Sequence, residues 1–225
     1  VWRRQSGTWS DATPPSAANL QPKHLAALPL GCHLAADAGS TPVDLGNNGS
    51  GWSTFKPGQP MVTVAAWDAS KIWLIGDADV FENGPPPLTL GHSLRDVWAS
   101  GPNEMIAAGE YWDHFTADVF KTKGSLVTWN GTQLDVQLGY MSYYASAVTG
   151  LGPGDWFVAG WGSQMIHHAA GQDSALSVPA NGTGYDDLGA LFALSPTRVY
   201  AASDKAIYTW DGASFSVTGI PSGPL

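Results

Sequence analysis

Apolar residues fall in short runs broken by turn formers, and the stretch from Leu94 to Leu138 shows this pattern most clearly. Leu94-Arg95-Asp96-Val97-Trp98-Ala99-Ser100 ends in Gly101-Pro102-Asn103, and a second run follows from Met105 to Gly109. After an aromatic insertion come Ser125-Leu126-Val127-Thr128-Trp129, the turn Asn130-Gly131, and the alternating segment Gln133-Leu134-Asp135-Val136-Gln137-Leu138. Runs this short, rich in β-branched or aromatic residues and bounded by Gly, Pro or Asn, predict four strands. Asn-Gly between the last two predicts a type I′ hairpin turn, which needs φ > 0 at both central residues.

The same unit recurs. Taking the glycine between third and fourth strands as its marker gives Gly7, Gly49, Gly84, Gly131, Gly171 and Gly212, spaced by 42, 35, 47, 40 and 41 residues. A repeat of this length built from strands predicts four-stranded propeller blades, and the density of Gly, Pro and β-branched residues argues against helical repeats. The expected fold is an all-β propeller in one domain, 1–225, with five complete blades at 24–58, 61–90, 93–138, 145–179 and 188–219. Residues 1–13 read as the outer hairpin of a sixth blade without its inner strands, after which a Pro- and Ala-rich connector, 14–22, leads into the least regular unit. An orphan hairpin leaves an unpaired sheet edge, so a further segment of the same precursor is expected to complete it, in a parent of six or more blades.

These residues resemble the repeat propellers of secreted bacterial proteins, whose units run approximately V-W-x-S-G-P-N-D-V-x-A-V-G and then a third strand ending in W-D-G. The match is clearest at Val97 to Gly109 and Ala206 to Gly212. The resemblance implies an exported binding module, extracellular, surface-held or periplasmic. WD and kelch propellers share the architecture, but the Gly-Gly doublet of kelch blades is absent and WD-type pairs recur in one or two units at most. No functional residue is carried over, because fold does not carry function.

Composition narrows the partners. The net charge is −9 with only ten Lys plus Arg, leaving no basic stripe to neutralise phosphates, so nucleic acid is not expected. No apolar run is long enough to span a membrane as a helix. The single cysteine, Cys32, excludes an intrachain disulfide and reads as a small buried hydrophobe. Sequons at Asn48, Asn130 and Asn181 coincide with Asn-Gly turns and are explained by hairpin chemistry.

In such a blade the connections from strand two to three, and from strand four to the next strand one, emerge on one face. On it lie 110–124, 139–146 and 180–187, with Tyr111, Trp112, His114, Phe115, Tyr140, Tyr143, Tyr144 and Tyr185 beside Asp113, Asp118, Asp186 and Asp187. Rigid amphipathic rings there suit stacking on a glycan or anchoring a protein surface, or else they pack down as a lid. The expected ligand-binding set is Tyr111, Trp112, Asp113, His114, Tyr143, Tyr144 and Tyr185, with Trp67, Trp73, Trp98, Trp129, Trp156 and Trp210 assigned to the core. The sequence requires no cofactor. Glu110, Asp113, His114 and Asp118, with His92 or His167, are candidate calcium or zinc ligands, although Asp113-His114 is too short a motif to be specific. The acidic, Asn-rich segment 37–48 has calcium-like composition but reads as a turn. Adjacent His167 and His168 on one strand point to opposite faces. No G-x-S-x-G and no phosphate loop is present. The functional reading is therefore a non-enzymatic binding module. The alternative is a carbohydrate-active or metal-dependent enzyme using Asp68, Asp96, Asp113 or Asp186 as blade-top carboxylates.

Overall fold

The computed structural model describes residues 2–5, 8–11, 20–28, 31–38, 41–47, 52–55, 61–68, 71–76, 79–82, 88–89, 92–112, 122–180 and 186–220. Their strands form one two-stranded sheet and five four-stranded antiparallel meanders. Sheet I pairs β1 (Trp2–Gln5) with β2 (Thr8–Asp11). Sheet II holds β3 (Leu20–Leu28), β4 (Gly31–Ala38), β5 (Thr41–Asn47) and β6 (Trp52–Phe55), and sheet III β7 (Met61–Asp68), β8 (Lys71–Gly76), β9 (Asp79–Glu82) and β10 (Leu88–Thr89). Sheet IV comprises β11 (Ser93–Gly101), β12 (Glu104–Trp112), β13 (Thr122–Trp129) and β14 (Leu134–Met141). Sheet V comprises β15 (Ala145–Gly152), β16 (Asp155–Gly160), β17 (Gln164–Ala169) and β18 (Gln172–Ser177), and sheet VI β19 (Ala190–Ser195), β20 (Arg198–Ala202), β21 (Ala206–Trp210) and β22 (Phe215–Gly219). The first strands β3, β7, β11, β15 and β19 neighbour one another in that order.

Successive sheets bury their faces against each other, which is why the middle strands read as near-continuous apolar runs. Ala65 and Ile75 of sheet III meet Leu94, Val97, Met105, Ala107 and Val127 of sheet IV. On its other face sheet IV presents Ile106, Ala108 and Leu126 to Val148, Trp156 and Val158 of sheet V. Phe157, Ala159 and Met165 then pack on Val199, Ala201 and Tyr208 of sheet VI.

The first strands are bulged in register with one another. Pairing slips at Pro22/His24, Met61/Thr63, Leu94/Asp96 and Ala145/Ala147, and again at the far ends of β7, β11, β15 and β19. Each bulge sharpens the local twist. The bulge near the start of the first strand also explains a glycine late in the second strand of the repeat: a Cβ on Gly109 would lie 2.1 Å from the Ser93 carbonyl oxygen, and one on Gly160 2.1 Å from that of Tyr144. The Trp of the repeat has an equally specific place, since a Cβ on Gly150 would fall 2.4 Å from the Trp98 ring. Trp98 is thus a wedge between sheets IV and V. Trp98→Ala is expected to cost about 2 kcal/mol, seen as a lower midpoint in thermal unfolding with an unchanged circular dichroism spectrum.

Three sequence expectations are corrected. Asn130-Gly131 is not a two-residue type I′ turn: Trp129 pairs with Leu134, leaving a four-residue loop with positive φ at Gly131 but not at Asn130. The Asn130 Oδ1 accepts from the amides of Thr132 and Gln133 and from the Thr132 hydroxyl, so a side-chain cap replaces the backbone turn. Asp211 repeats this with the amides of Ala213 and Ser214, whereas both φ values are positive at Ala170 and Gly171, in a true two-residue hairpin. Second, the acidic segment read as a turn is largely strand β5, paired with β4 and β6, and Asp44 lies in its ladder; Pro42 and Gly46 inside it disguised the pattern. Third, Cys32 is half-buried, not fully enclosed. Of the six core tryptophans, Trp156 is buried, Trp98, Trp129 and Trp210 pack half-buried on the inter-sheet cores, and the side chains of Trp67 and Trp73 lie outside the described set.

Candidate functional site at the upper edge of sheets IV to VI

The connections β12–β13, β14–β15, β16–β17, β18–β19 and β20–β21 share one edge, here called upper. The aromatic insertion is shorter than its sequence suggests. Glu110, Tyr111 and Trp112 continue β12, with Tyr111 opposite Lys123 and Trp112 opposite Thr122. Asp113, His114, Phe115, Asp118 and Tyr185 lie outside the described residues, as does the side chain of Trp112. Tyr111 packs edge-on against His92 at 6.2 Å.

Tyr143 and Tyr144 are brought together with residues that the sequence did not single out. The turn Trp161–Ser163 clamps the two chain segments entering sheets V and VI. The Trp161 amide donates to the Tyr144 carbonyl at 3.2 Å, the Ser163 amide to that of Asp186 at 2.9 Å, and the Leu188 amide to that of Gly160 at 3.2 Å. Both Gly162 and Ser163 have positive φ, and the strained Ser163 is held by its hydroxyl accepting from the Asp186 amide at 3.1 Å. On this frame the Tyr143 ring packs edge-on against Trp161 at 4.4 Å. Tyr144 lies under the Arg95 guanidinium, 4.4 Å from its ring centre, and donates to Asp187 Oδ2 at 3.1 Å. Arg95 in turn pairs with Glu110 at 2.7 Å, and Ser146 donates to Asp187 Oδ1 at 2.7 Å. Burial pushes the Tyr144 phenol up and the Asp187 carboxylate adds to this, so the hydroxyl stays protonated and keeps donating.

The two neighbouring aspartates do different things. Asp187 faces an open cavity of about 650 Å³, lined by Tyr144, Trp161, Gly189, Ala202, Asp204 and Lys205 among others. Asp186 is buried and structural. Its Oδ2 accepts from Tyr208 at 2.5 Å and Ser203 at 3.1 Å, and its Oδ1 lies 3.4 Å from Lys205 Nζ. Burial raises this carboxyl, but the hydrogen bonds from Tyr208, Ser203 and Lys205 outweigh it and hold the group below the ordinary value of 3.8.

The other chemistry considered from sequence is dispersed. Both carboxylate oxygens of Asp96 are engaged by backbone amides, Oδ1 by Val97 and Oδ2 by Val148, each at 2.9 Å, tying sheet IV to sheet V. Asp68 closes the β7–β8 hairpin opposite Lys71, at the lower edge. His167 also lies towards that edge, hydrogen-bonded to Asp155 at 2.8 Å and stacked on Phe157, so it does not join Glu110. His168 on the opposite face stacks on Trp156 and binds Asp173. Among the described residues no three His, Cys, Asp or Glu side chains are placed to hold a metal. A second concavity of about 790 Å³, unanticipated from sequence, lies at the lower edge between Pro102, Trp129, Pro153, Trp156 and His168.

No family model matches the chain, and no curated protein matches it. Solved structures do. YCF48 bound to D1 peptide superposes with a TM-score of 0.60 over 95% of this chain and 71% of its own length, at 14% identity. The nidogen/laminin complex gives 0.59 over 94% and 85% at 11% identity. The extracellular domain of the putative one component system BT4673 from B. thetaiotaomicron gives 0.52 over 88% and 27% at 10% identity. These likenesses are to β-propellers, and with the antiparallel meanders they establish the fold: an all-β propeller of four-stranded antiparallel sheets.

Proposed function

We propose that this propeller is a non-enzymatic protein-binding module of an exported protein, and that it grips its partner at the upper edge of sheets IV to VI. The carrying observation is the open cavity beside Tyr144 and Trp161, where rings fixed by hydrogen bonds at the backbone or hydroxyl stand next to the polar groups of Asp187, Asp204 and Lys205. Rings held this way lose little freedom on binding, which suits them to anchor a partner. The remaining residues of the contact set read from the sequence, Tyr111, Trp112, Asp113, His114, Tyr143 and Tyr185, are proposed to take part in the same contact. The likeness to propellers solved with D1 peptide and with laminin supports a protein partner, and the likeness to an extracellular domain supports export.

The test is a selection of random displayed peptides on the chain, followed by affinities for a Tyr144→Ala, Trp161→Ala double variant. Loss of two such anchors is expected to weaken binding by roughly thirtyfold or more, while Pro102→Ala at the lower-edge concavity leaves it unchanged. Glycan arrays screened with the same proteins separate the two partner classes: binding to sugars but not peptides, lost in the double variant, would replace a protein partner by a carbohydrate.

A further inference from the structure

The cavity beside Tyr144 and Trp161 carries negative charge that the chain itself does not answer. Asp187, Asp204 and Lys205 are the charged residues of its lining. Lys205 Nζ lies 3.4 Å from Oδ1 of the buried Asp186, so that pair cancels. Asp187 receives neutral donors, the Ser146 hydroxyl at 2.7 Å on Oδ1 and the Tyr144 hydroxyl at 3.1 Å on Oδ2. Asp204 stands exposed in the β20–β21 connection, with no ion pair among the described residues. Arg95, on the Tyr144 ring, is itself matched by Glu110 at 2.7 Å. Two carboxylates are therefore left over, beside the rings of Tyr144 and Trp161 and the small residues Gly189, Ala190 and Ala202. Partly apolar walls lower the local dielectric, and an opposite charge is attracted there more strongly than in open water.

We propose, on the basis that this cavity is where the protein partner binds, that it receives an arginine side chain of that partner. Hydroxyl donors fix both oxygens of Asp187 and leave each a lone pair, which suits the two parallel N–H bonds of a guanidinium. The aromatic wall suits the same group, because a planar, weakly hydrated cation stacks on rings where a lysine ammonium stays solvated. The molecule already uses this combination once: the Arg95 guanidinium lies 4.4 Å from the Tyr144 ring centre and pairs with Glu110. A metal ion answers the charge less well, since no three His, Cys, Asp or Glu side chains are placed to hold one among the described residues. Across the whole chain the net charge of −9 adds a longer-range attraction for a basic segment.

The test titrates N-acetylarginine amide and its neutral isostere, N-acetylcitrulline amide, into the isotopically labelled full chain and follows amide and indole resonances. The arginine probe is expected to shift the Trp161 indole and the amides of Asp187 and Lys205 saturably in the millimolar range, and the citrulline probe to bind roughly tenfold more weakly. Asp187→Asn, which keeps one acceptor oxygen for the hydroxyls, should cost the arginine probe about as much, and Asp204→Asn a few fold, with melting temperatures near that of the parent. Equal shifts with citrulline, or none at these residues with arginine, would overturn the proposal. Displayed peptides separate the arginine from the site itself. Peptides that lose the Tyr144→Ala, Trp161→Ala variant but bind Asp187→Asn as well as the parent would refute the arginine and leave the site standing, whereas peptides that bind both variants like the parent would remove the site.

Discussion

Gly160→Ala is expected to destabilise the fold by about 2–3 kcal/mol, lowering the melting temperature by roughly 4–12 °C for a domain of this size. The new methyl carbon would sit 2.1 Å from the Tyr144 carbonyl oxygen and 2.9 Å from the Ala145 Cα, both backbone atoms. Neither can swing aside as a side-chain end would. The Tyr144 carbonyl is held by the Trp161 amide and the Gly160 carbonyl by the Leu188 amide, so relaxing the clash pulls on both entry segments of the site. Binding should weaken along with stability, through displacement of Tyr144 and not through any contact of residue 160 itself. Gly152→Ala is the matched control, since its added carbon meets nothing within 4 Å and its φ is ordinary for an L residue. Calorimetry on the pair should show the control within about 0.5 kcal/mol of the parent.

Acid should loosen the upper edge through Asp186. A carboxyl whose folded pKa lies below its unfolded value contributes stability that is present above the unfolded value and is lost as pH falls through the folded one. With hydrogen bonds from Tyr208, Ser203 and Lys205 outweighing burial, Asp186 has this sign, and its share should fade as pH drops below about 3.8. Removing the group is more severe than protonating it. Asp186→Ala leaves the buried Tyr208 hydroxyl without its acceptor and removes the carboxylate that Ser203 and Lys205 bond, while the backbone bonds between residue 186 and Ser163 stay, at an expected cost of about 3 kcal/mol at neutral pH. Thermal melts between pH 7 and pH 2 check both statements. The parent should lose stability more steeply than Asp186→Asn at the acid end, and parallel curves would show that Asp186 carries no such linkage.

The strand repeat was legible because its cause is local. Alternating or fully apolar runs, with Gly, Pro and Asn between them, are dictated by sheets that bury both faces and turn tightly, and the marker glycines Gly131, Gly171 and Gly212 do sit in third-to-fourth strand turns. What sequence missed depends on partners far along the chain. Asp186 and Asp187 stand side by side among the acids of the loop face, and nothing in the sequence tells them apart, since the hydroxyls that bury one and the tyrosine that positions the other lie 17 to 43 residues away. Trp161 carried one signal, its place directly after the glycine ending the second strand, where the corresponding residue of the reference unit is Glu110. The strand extension through Tyr111 and Trp112 was hidden because its partners Thr122 and Lys123 are polar. The bulges left no composition signal at all; only the glycines opposite them record the close approach.

Hydrogen exchange on the chain with a selected peptide or natural partner bound gives the most direct reading of where this propeller works. Slowed exchange is expected at the amides of Trp161 and Ser163, at Asp186 to Ala190 and at Ser203 to Ala206, the backbone that frames the cavity beside Tyr144. Protection confined to Gly101–Glu104 and Gly152–Asp155, with the upper edge exchanging as in the unbound chain, would contradict it and move binding to the concavity at the lower edge.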